Sequence, residues 1–222
     1  MKICLVIPVH NESSAIGPLI EAIRRKNLDV VVIDDGSSDR SGEIASQKGA
    51  KVLRNTQRSG KGFSLQRGFD YAMEQSYEAV IAMDGDGQHD AGDLDCFIDQ
   101  AQIAPVCIIA GNRMHNVKDM PWLRCLTNRG MSWLISCFCH QPIPDTQCGY
   151  RYIHSKILKE IHLSSSDFEI ETEVLIQAAK KGFKIYSVPI KTIYRDEESK
   201  IHPLKDTIRF FRYLFKEITS QR

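Results

Sequence analysis

At 222 residues, with 42% hydrophobic and 26% charged side chains, the chain has the size and composition of one globular domain with a substantial core. A formal net charge of +1 argues against a nucleic-acid-binding protein, which usually shows a strong basic excess. The seven cysteines include no CxxC pair, which argues against a zinc site and favours reduced thiols in a cytoplasmic protein.

Four short apolar runs in the first half predict strands that are buried on both faces of a parallel sheet. They are Ile3–Ile7, Val30–Ile33, Ala79–Met83 and Val106–Ala110. These runs are continuous rather than alternating, as in strands covered by helices on both sides. Amphipathic helical patterns lie between the runs, and Ser13-Ser14 is a candidate cap for the first helix. Strands that alternate with helices predict an α/β fold.

The second half predicts two further strands and three helices. The helices are expected at Leu123–Cys139, Glu169–Lys181 and Leu204–Thr219, and the strands at Asp145–Tyr152 and Lys184–Tyr194. The final helix has an apolar stripe that includes Phe211 and Phe215 beside a basic stripe that includes Arg209 and Arg212. Such a helix either packs on the sheet or lies in a lipid interface.

Polar clusters directly follow the four predicted strands of the first half. The clusters are His10-Asn11-Glu12, Asp34–Ser37, Asp84–Asp90 and Gly111-Asn112-Arg113. In an open α/β sheet, ligands bind beyond the carboxyl ends of the strands. We therefore expect these clusters to form one site.

Asp84 and Asp86 predict a divalent metal ion in that site. Because one residue separates them, both carboxylates of an extended segment point to the same side, where they repel each other unless a cation lies between them. Oxygen ligands suit Mg²⁺ or Mn²⁺, and Gln88 can add a carbonyl oxygen. The alternative is a solvated turn, since turns favour Asp and Gly.

The motifs in this order resemble those of the family 2 glycosyltransferases. The first motifs are Ile7–Glu12, Val32–Asp39, Gly60-Lys61-Gly62 and Met83–His89. The later ones resemble the dolichyl-phosphate mannosyltransferase and polyprenyl-phosphate glycosyltransferase branch: Gly111–Arg113, Asn128–Gly130, Asp145–Arg151, Phe168–Glu171 and Ser199-Lys200. The resemblance implies a GT-A-type nucleotide-diphospho-sugar transferase fold, with a mostly parallel central sheet flanked by helices. It also implies inverting transfer of a hexose from a GDP- or UDP-sugar to a polyprenyl or dolichyl phosphate.

The same resemblance implies roles for individual residues. Nucleotide-sugar binding is expected of Pro8, His10, Glu12, Ile33, Asp35, Lys61, Met83, Asp84, Gly85, Arg195 and Lys200. The metal, Mg²⁺ or Mn²⁺, is expected at Asp84, Asp86 and Gln88, and the acceptor phosphate at Arg113, Arg129 and Arg151. Catalytic roles are expected of Asp86, Arg113, Asp145, Arg151 and Lys200.

Structural roles are the alternative for several of these residues. Glu12 and Asp35 could cap helices, Lys61 could be a surface lysine, and Asp145 could form an ion pair with Arg151 on one strand. We expect a single domain, in which residues 1–113 form a nucleotide-sugar half and residues 114–222 an acceptor half with the amphipathic helix. Peripheral contact with the cytoplasmic face of a membrane is also expected.

The nature of the acceptor separates the functional alternatives. A hydroxyl acceptor needs a general base, for which Asp145 is the candidate, whereas a lipid phosphate is already anionic and needs positive charge. The three arginines favour the lipid phosphate. Transfer to a hydroxyl of a saccharide or lipid headgroup, a sugar nucleotidyltransferase and an inactive nucleotide-sugar-binding module are the alternatives.

Overall fold

The computed structural model describes residues 1–118, 120–167 and 169–193. Seven strands of these residues form one sheet in the order β3-β2-β1-β4-β6-β5-β7. The strands are β1 (Ile3–Val9), β2 (Asp29–Asp34), β3 (Lys51–Arg54), β4 (Ala79–Ala82), β5 (Cys107–Asn112), β6 (Arg151–His154) and β7 (Lys184–Pro189). Strand β6 is antiparallel to both of its neighbours, and the other pairs are parallel.

Helices cover both faces of this sheet. They are α1 (Ile16–Arg24), α2 (Ser41–Gln47), α3 (Lys61–Glu74), α4 (Leu94–Ile103), α5 (Trp122–Cys139), α6 (Ser155–Glu160) and α7 (Ile170–Lys180). Strand β1 shows why the apolar runs are continuous. Leu5 and Ile7 belong to the core cluster that includes α1 and α4, whereas Cys4 and Val6 belong to the cluster that includes α3 and α7. Because successive side chains of a strand point to opposite faces, both sets must be apolar.

The predicted α/β fold with a mostly parallel sheet is confirmed, and each of the four apolar runs forms a strand. The predicted strand at Asp145–Tyr152 is wrong over most of its length, because β6 begins only at Arg151. Residues 145–150 form a loop instead, and the carboxylate of Asp145 binds the side chain of Arg113. Strand β7 ends at Pro189, short of the predicted end.

The expected cap of the first helix is also wrong. The cap position of α1 is Ala15, and no side chain there accepts a hydrogen bond from the helix. The backbone carbonyl of Glu12 accepts hydrogen bonds from the N–H groups of Ala15 and Ile16 instead. The predicted final helix at Leu204–Thr219 lies outside the described residues, as do Arg195 and Lys200. No helix within the described ranges is both long enough and apolar enough to cross a bilayer.

Gly68 allows α3 to pack closely on the sheet, which gives a prediction for stability. A Cβ atom at this position would overlap Cγ1 of Val6 and lie 3.0 Å from Cδ1 of Ile33. We therefore expect Gly68→Ala to lower the free energy of unfolding by about 1–3 kcal/mol. Urea denaturation followed by circular dichroism measures this change.

Gly130 of α5 provides the matched control, because it is also a helical glycine but a Cβ atom there meets nothing within 4 Å. Gly130→Ala should raise the free energy of unfolding by up to about 1 kcal/mol, since alanine is the better helix former. Equal effects of the two substitutions would contradict the close packing of α3.

Candidate active site

The polar clusters meet at one edge of the sheet, beyond the carboxyl ends of β1, β2, β4 and β5. Nδ1 of His10 lies 2.9 Å from the carbonyl oxygen of Asp35, and the N–H of Asp35 donates to the carbonyl of Val9. The loop before β6 reaches the same edge, because a Cβ atom on Gly149 would lie 2.8 Å from Oδ2 of Asp84. The expected convergence of the strand ends is therefore observed.

Lys61, the first residue of α3, bridges two carboxylates at the centre of this edge. Its Nζ lies 2.5 Å from Oδ1 of Asp84 and 2.7 Å from Oε1 of Glu171. Burial favours the neutral amine, but the charges of Asp84 and Glu171 outweigh it and raise the pKa of Lys61. Burial likewise opposes ionisation of Asp84, and the Lys61 ammonium overcomes it to lower the Asp84 pKa to about 2. The lysine is thus an internal cation and not a surface side chain.

Asp35 fixes the turn that positions Lys61. Its carboxylate accepts hydrogen bonds from the backbone N–H groups of Ser59 and Gly60, at 2.8 and 2.9 Å, and from the side chain of Asn55 at 2.7 Å. The residue is 5% exposed. Asp35 therefore stabilises the start of a helix, which was the structural role considered as the alternative to nucleotide-sugar binding. The helix is α3, which lies 26 residues after Asp35 in the sequence.

The same turn is packed against a loop from the second half of the chain. A Cβ atom on Gly60 would lie 2.5 Å from the carbonyl oxygen of Ser166, and one on Gly62 would lie 2.5 Å from that of Ser165. Glu173, which is 1% exposed, accepts hydrogen bonds from the N–H groups of Ser164 and Ser165 and holds the loop in place. Neither this contact nor the role of Glu173 could be predicted from sequence, because in both cases the partner atoms are backbone atoms of a distant loop.

Two of the expected nucleotide-sugar residues point away from the site. The side chain of Ile33 is 0% exposed and packs against α3, and Met83 is 1% exposed in the core on the other face of the sheet. Only the backbone atoms of these two residues, at the ends of β2 and β4, can therefore face the nucleotide-sugar, and their role in binding it stays a prediction. Gly85, just after β4, packs closely on β1, since a Cβ atom there would lie 2.6 Å from Cγ1 of Val9.

The segment after β4 forms a tight turn around its two aspartates. Oδ1 of Asp86 accepts the N–H of Gln88 at 2.9 Å, and the carbonyl of Gln88 accepts the N–H of Ile193. In the described part of the chain, no cluster of three or more His, Cys, Asp and Glu side chains could hold a metal ion. The ionised Asp84 and its neighbour Asp86 nevertheless fit Mg²⁺ or Mn²⁺, because these ions commonly take the rest of their ligands from phosphates and water.

His89 closes the turn from inside the protein. Its Nδ1 accepts the N–H of Asp84 at 3.4 Å, and its ring stacks on Tyr150 with a centroid distance of 5.0 Å. Burial lowers the pKa of His89 to about 4, although the charge of Asp84 acts in the opposite direction. The ring is therefore neutral at neutral pH, and we expect it to support the turn rather than to carry charge.

This lowered pKa predicts acid sensitivity. Because the folded-state pKa lies below the ordinary value, the unfolded chain binds the proton first, and stability is lost as pH falls from about 6.5 towards 4. Between about pH 7.5 and 5 the native protein should lose on the order of 2 kcal/mol more than a His89→Phe variant, which keeps the stacked ring. Urea denaturation at both pH values tests this, and equal losses would contradict a neutral, buried His89.

Arg113 and Asp145 form a bidentate ion pair at the end of β5. Nε of Arg113 lies 2.7 Å from Oδ2 of Asp145 and Nη2 lies 3.0 Å from Oδ1, while the N–H of Arg113 also donates to Oδ2. Asp145 is 0% exposed. Burial opposes its ionisation, but Arg113 outweighs burial and lowers the pKa of Asp145. A carboxylate held in this way is a poor general base.

The other two arginines have different surroundings, one buried and one exposed. Arg151 is 2% exposed, and its guanidinium donates to the carbonyls of Thr146, Cys148 and Glu171. It therefore stabilises the loop before β6. The alternative of an Arg151–Asp145 ion pair is wrong, because Asp145 binds Arg113 instead. A role of Arg151 at the acceptor phosphate stays a prediction. Arg129 is exposed on α5. Arg113 itself is near enough to Asp84 for its positive charge to help lower the pKa of Asp84.

Comparison with known proteins shows which family of sequences this chain is similar to. The family described as "Glycosyl transferase family 2" matches residues 4–162. An uncharacterized protein of Methanocaldococcus jannaschii is 31% identical over 99% of this chain and 92% of its own length. The undecaprenyl-phosphate mannosyltransferase of Micrococcus luteus is 28% identical over 90% of this chain and 88% of its own length.

A solved structure shows the same fold at low sequence identity. The chain superimposes on glucosyl-3-phosphoglycerate synthase from Mycobacterium tuberculosis, crystallised with Mg²⁺ and UDP, with a TM-score of 0.72 and 19% identity. The match covers 99% of this chain and 78% of that one. The fold is thus of the GT-A type. Since the family match also covers most of the sequence, the chain belongs to glycosyl transferase family 2.

Proposed function

We propose that the protein transfers a hexose, with inversion, from a GDP- or UDP-sugar to a polyprenyl or dolichyl phosphate. The observation that carries this proposal is the state of Asp145, whose carboxylate is buried and held by Arg113. A hydroxyl acceptor needs a base to remove its proton, whereas a phosphate acceptor is already anionic. The relative from Micrococcus luteus, named for transfer to undecaprenyl phosphate, supports the same acceptor class.

The donor would bind at the edge of the sheet where Asp84 and Asp86 follow β4. These two carboxylates, with Gln88, would hold Mg²⁺ or Mn²⁺. The bound ion would supply positive charge that stabilises the departing nucleoside diphosphate. Asp84 could bind the metal ion and Lys61 at the same time, because the Lys61 ammonium is also held by a second ion pair, with Glu171.

Further parts of the proposal rest on the family resemblance. In it, residues 1–113 serve the nucleotide-sugar and residues 114–222 serve the acceptor. Pro8, His10 and Glu12 would frame the base and ribose from the end of β1, and Arg195 and Lys200 would close over the diphosphate. Arg113 and Arg129 would meet the acceptor phosphate, and the protein would contact a membrane peripherally.

A donor and acceptor panel tests the proposed function. The full chain is incubated with Mn²⁺ and UDP-, GDP- or dTDP-sugars, with a short polyprenyl phosphate or a free saccharide as acceptor. We expect sugar on the prenyl phosphate with inverted anomeric configuration, and loss of product when EDTA removes the metal. Product on the saccharide alone would instead establish a hydroxyl acceptor and overturn the proposal. Release of pyrophosphate from a nucleotide and a sugar phosphate would establish a nucleotidyltransferase.

A further inference from the structure

Helix α5 exposes large apolar side chains, although it also buries Ile135 and Cys139 in the core. Its buried residues include Asn128 and Ser132, whereas Trp122, Leu126 and Trp133 are 77%, 61% and 69% exposed. A helix on the surface of a water-soluble domain normally presents polar side chains to the solvent. The outer face of α5 is therefore suited to an apolar environment.

The exposed apolar residues form one continuous stripe. Trp122, Leu126, Trp133 and the exposed Cys137 recur at helical spacing, so they lie on the same face of α5. Gly130, which lies between them, is also exposed and adds no polar group. Over these positions the helix extends for about 23 Å, at about 1.5 Å per residue. The stripe is thus long enough to form a contact surface along the whole helix.

The charge of α5 indicates what this surface contacts. The helix contains Arg124 and Arg129 and no aspartate or glutamate. Both tryptophans of the chain lie on its exposed face. Tryptophan is enriched at the boundary between lipid and water, and basic side chains beside an apolar stripe are attracted to anionic headgroups. We propose that the outer face of α5 lies in the interfacial layer of an anionic lipid bilayer, with the helix parallel to the membrane.

The inner face of α5 connects this surface to the active site. Oγ of Ser132 accepts the N–H of Thr146 at 3.0 Å, and Thr146 is next to Asp145, the partner of Arg113. One helix diameter, about 10 Å, therefore separates the lipid surface from the loop that holds Arg113. This inference deepens the proposed function and rests on it for the acceptor, because a phosphate on a membrane lipid would reach Arg113 from this side.

The two tryptophans provide a direct test on the full chain. Vesicles of phosphatidylcholine with about one third phosphatidylglycerol are added, and tryptophan emission is recorded for the native protein and for Trp122→Phe and Trp133→Phe, which each keep one tryptophan. We expect a blue shift in all three proteins and quenching by brominated lipids. Unchanged emission would overturn the inference. Emission that is already blue-shifted without vesicles would also overturn it, because a second copy or residues 194–222 would then cover the face.

A binding measurement with a matched control completes the test. Trp122→Ser combined with Trp133→Ser should weaken vesicle flotation at least about tenfold, since two large apolar side chains no longer enter the bilayer. The control is Ile103→Ser, because Ile103 is 80% exposed at the end of α4, outside the α5 face. It should bind vesicles like the native protein. Equal loss in both variants would contradict a specific role of α5.

Failure of this inference can be separated from failure of the proposed function by the acceptor used. If the double serine variant loses vesicle binding but still glycosylates a short, water-soluble prenyl phosphate, both proposals are supported. If vesicles bind through α5 but no prenyl phosphate is ever glycosylated, the membrane surface stands and the proposed function falls. If transfer to the short prenyl phosphate occurs while vesicles do not bind, the membrane surface is wrong.

Discussion

Replacing Asp86 by asparagine should reduce glycosyl transfer about 1000-fold, because a neutral amide cannot hold the divalent ion that stabilises the leaving diphosphate. The substitution is close to isosteric. Its side-chain oxygen can still accept the N–H of Gln88, which Oδ1 of Asp86 accepts in the native turn. Product formation at saturating donor concentration, measured over a range of Mn²⁺ concentrations, gives the effect.

Asp99 offers a carboxylate control, because it is exposed on α4 and away from the site. Asp99→Asn should leave both the rate and its dependence on Mn²⁺ unchanged. The free energy of unfolding of Asp86→Asn should also remain close to the native value. If Asp86→Asn kept the native rate and metal dependence, Asp86 would not be a metal ligand, and the proposed metal site would have to be abandoned.

Replacing Arg113 by methionine should lower the free energy of unfolding by about 3–5 kcal/mol. The reason is that Asp145, which is 0% exposed, would be left charged in the interior without its bidentate partner. Guanidinium chloride denaturation near neutral pH measures the change. A loss below about 1 kcal/mol would mean that water or another group satisfies Asp145.

A double substitution separates the structural role of this ion pair from its role in transfer. Arg113→Met combined with Asp145→Leu removes both charges, so much of the lost stability should return. Transfer to a prenyl phosphate should stay low in the double variant, because the guanidinium that is proposed to meet the acceptor phosphate is missing. Recovery of transfer together with stability would show that Arg113 acts only on the fold.

Four strands of the first half and the edge of the sheet that carries the site could be predicted, because each depends on local sequence. Continuous apolar runs are needed wherever a strand is covered on both faces, and polar residues directly after such runs must lie at the edge of the sheet. Asp84 and Arg113 were found in this way. Strand β3 was missed, because Lys51 and Arg54 at its ends are exposed and the strand has no continuous apolar run.

The contacts between distant segments could not be predicted in the same way. Lys61 and Glu171 are separated by 110 positions in the sequence, and no local pattern around either residue indicates that the two form an ion pair. The partners of Arg151 could not be predicted either, because an arginine that binds backbone carbonyls has the same sequence signature as one that binds a phosphate. The burial of the Ile33 side chain could not be predicted from the family motif, because the motif marks the end of a strand without stating which face of the sheet a side chain occupies.

The contact between the Gly60–Gly62 turn and the loop at 164–167 has a consequence for how this protein can diverge. The two glycines meet the carbonyl oxygens of Ser165 and Ser166, atoms that every amino acid supplies. Substitutions in the loop should therefore be tolerated in related proteins, whereas an insertion or deletion would shift the carbonyls out of register with the glycines. Selection at this contact should act on the length of the loop and on the two glycines, and leave the composition of the loop free to drift.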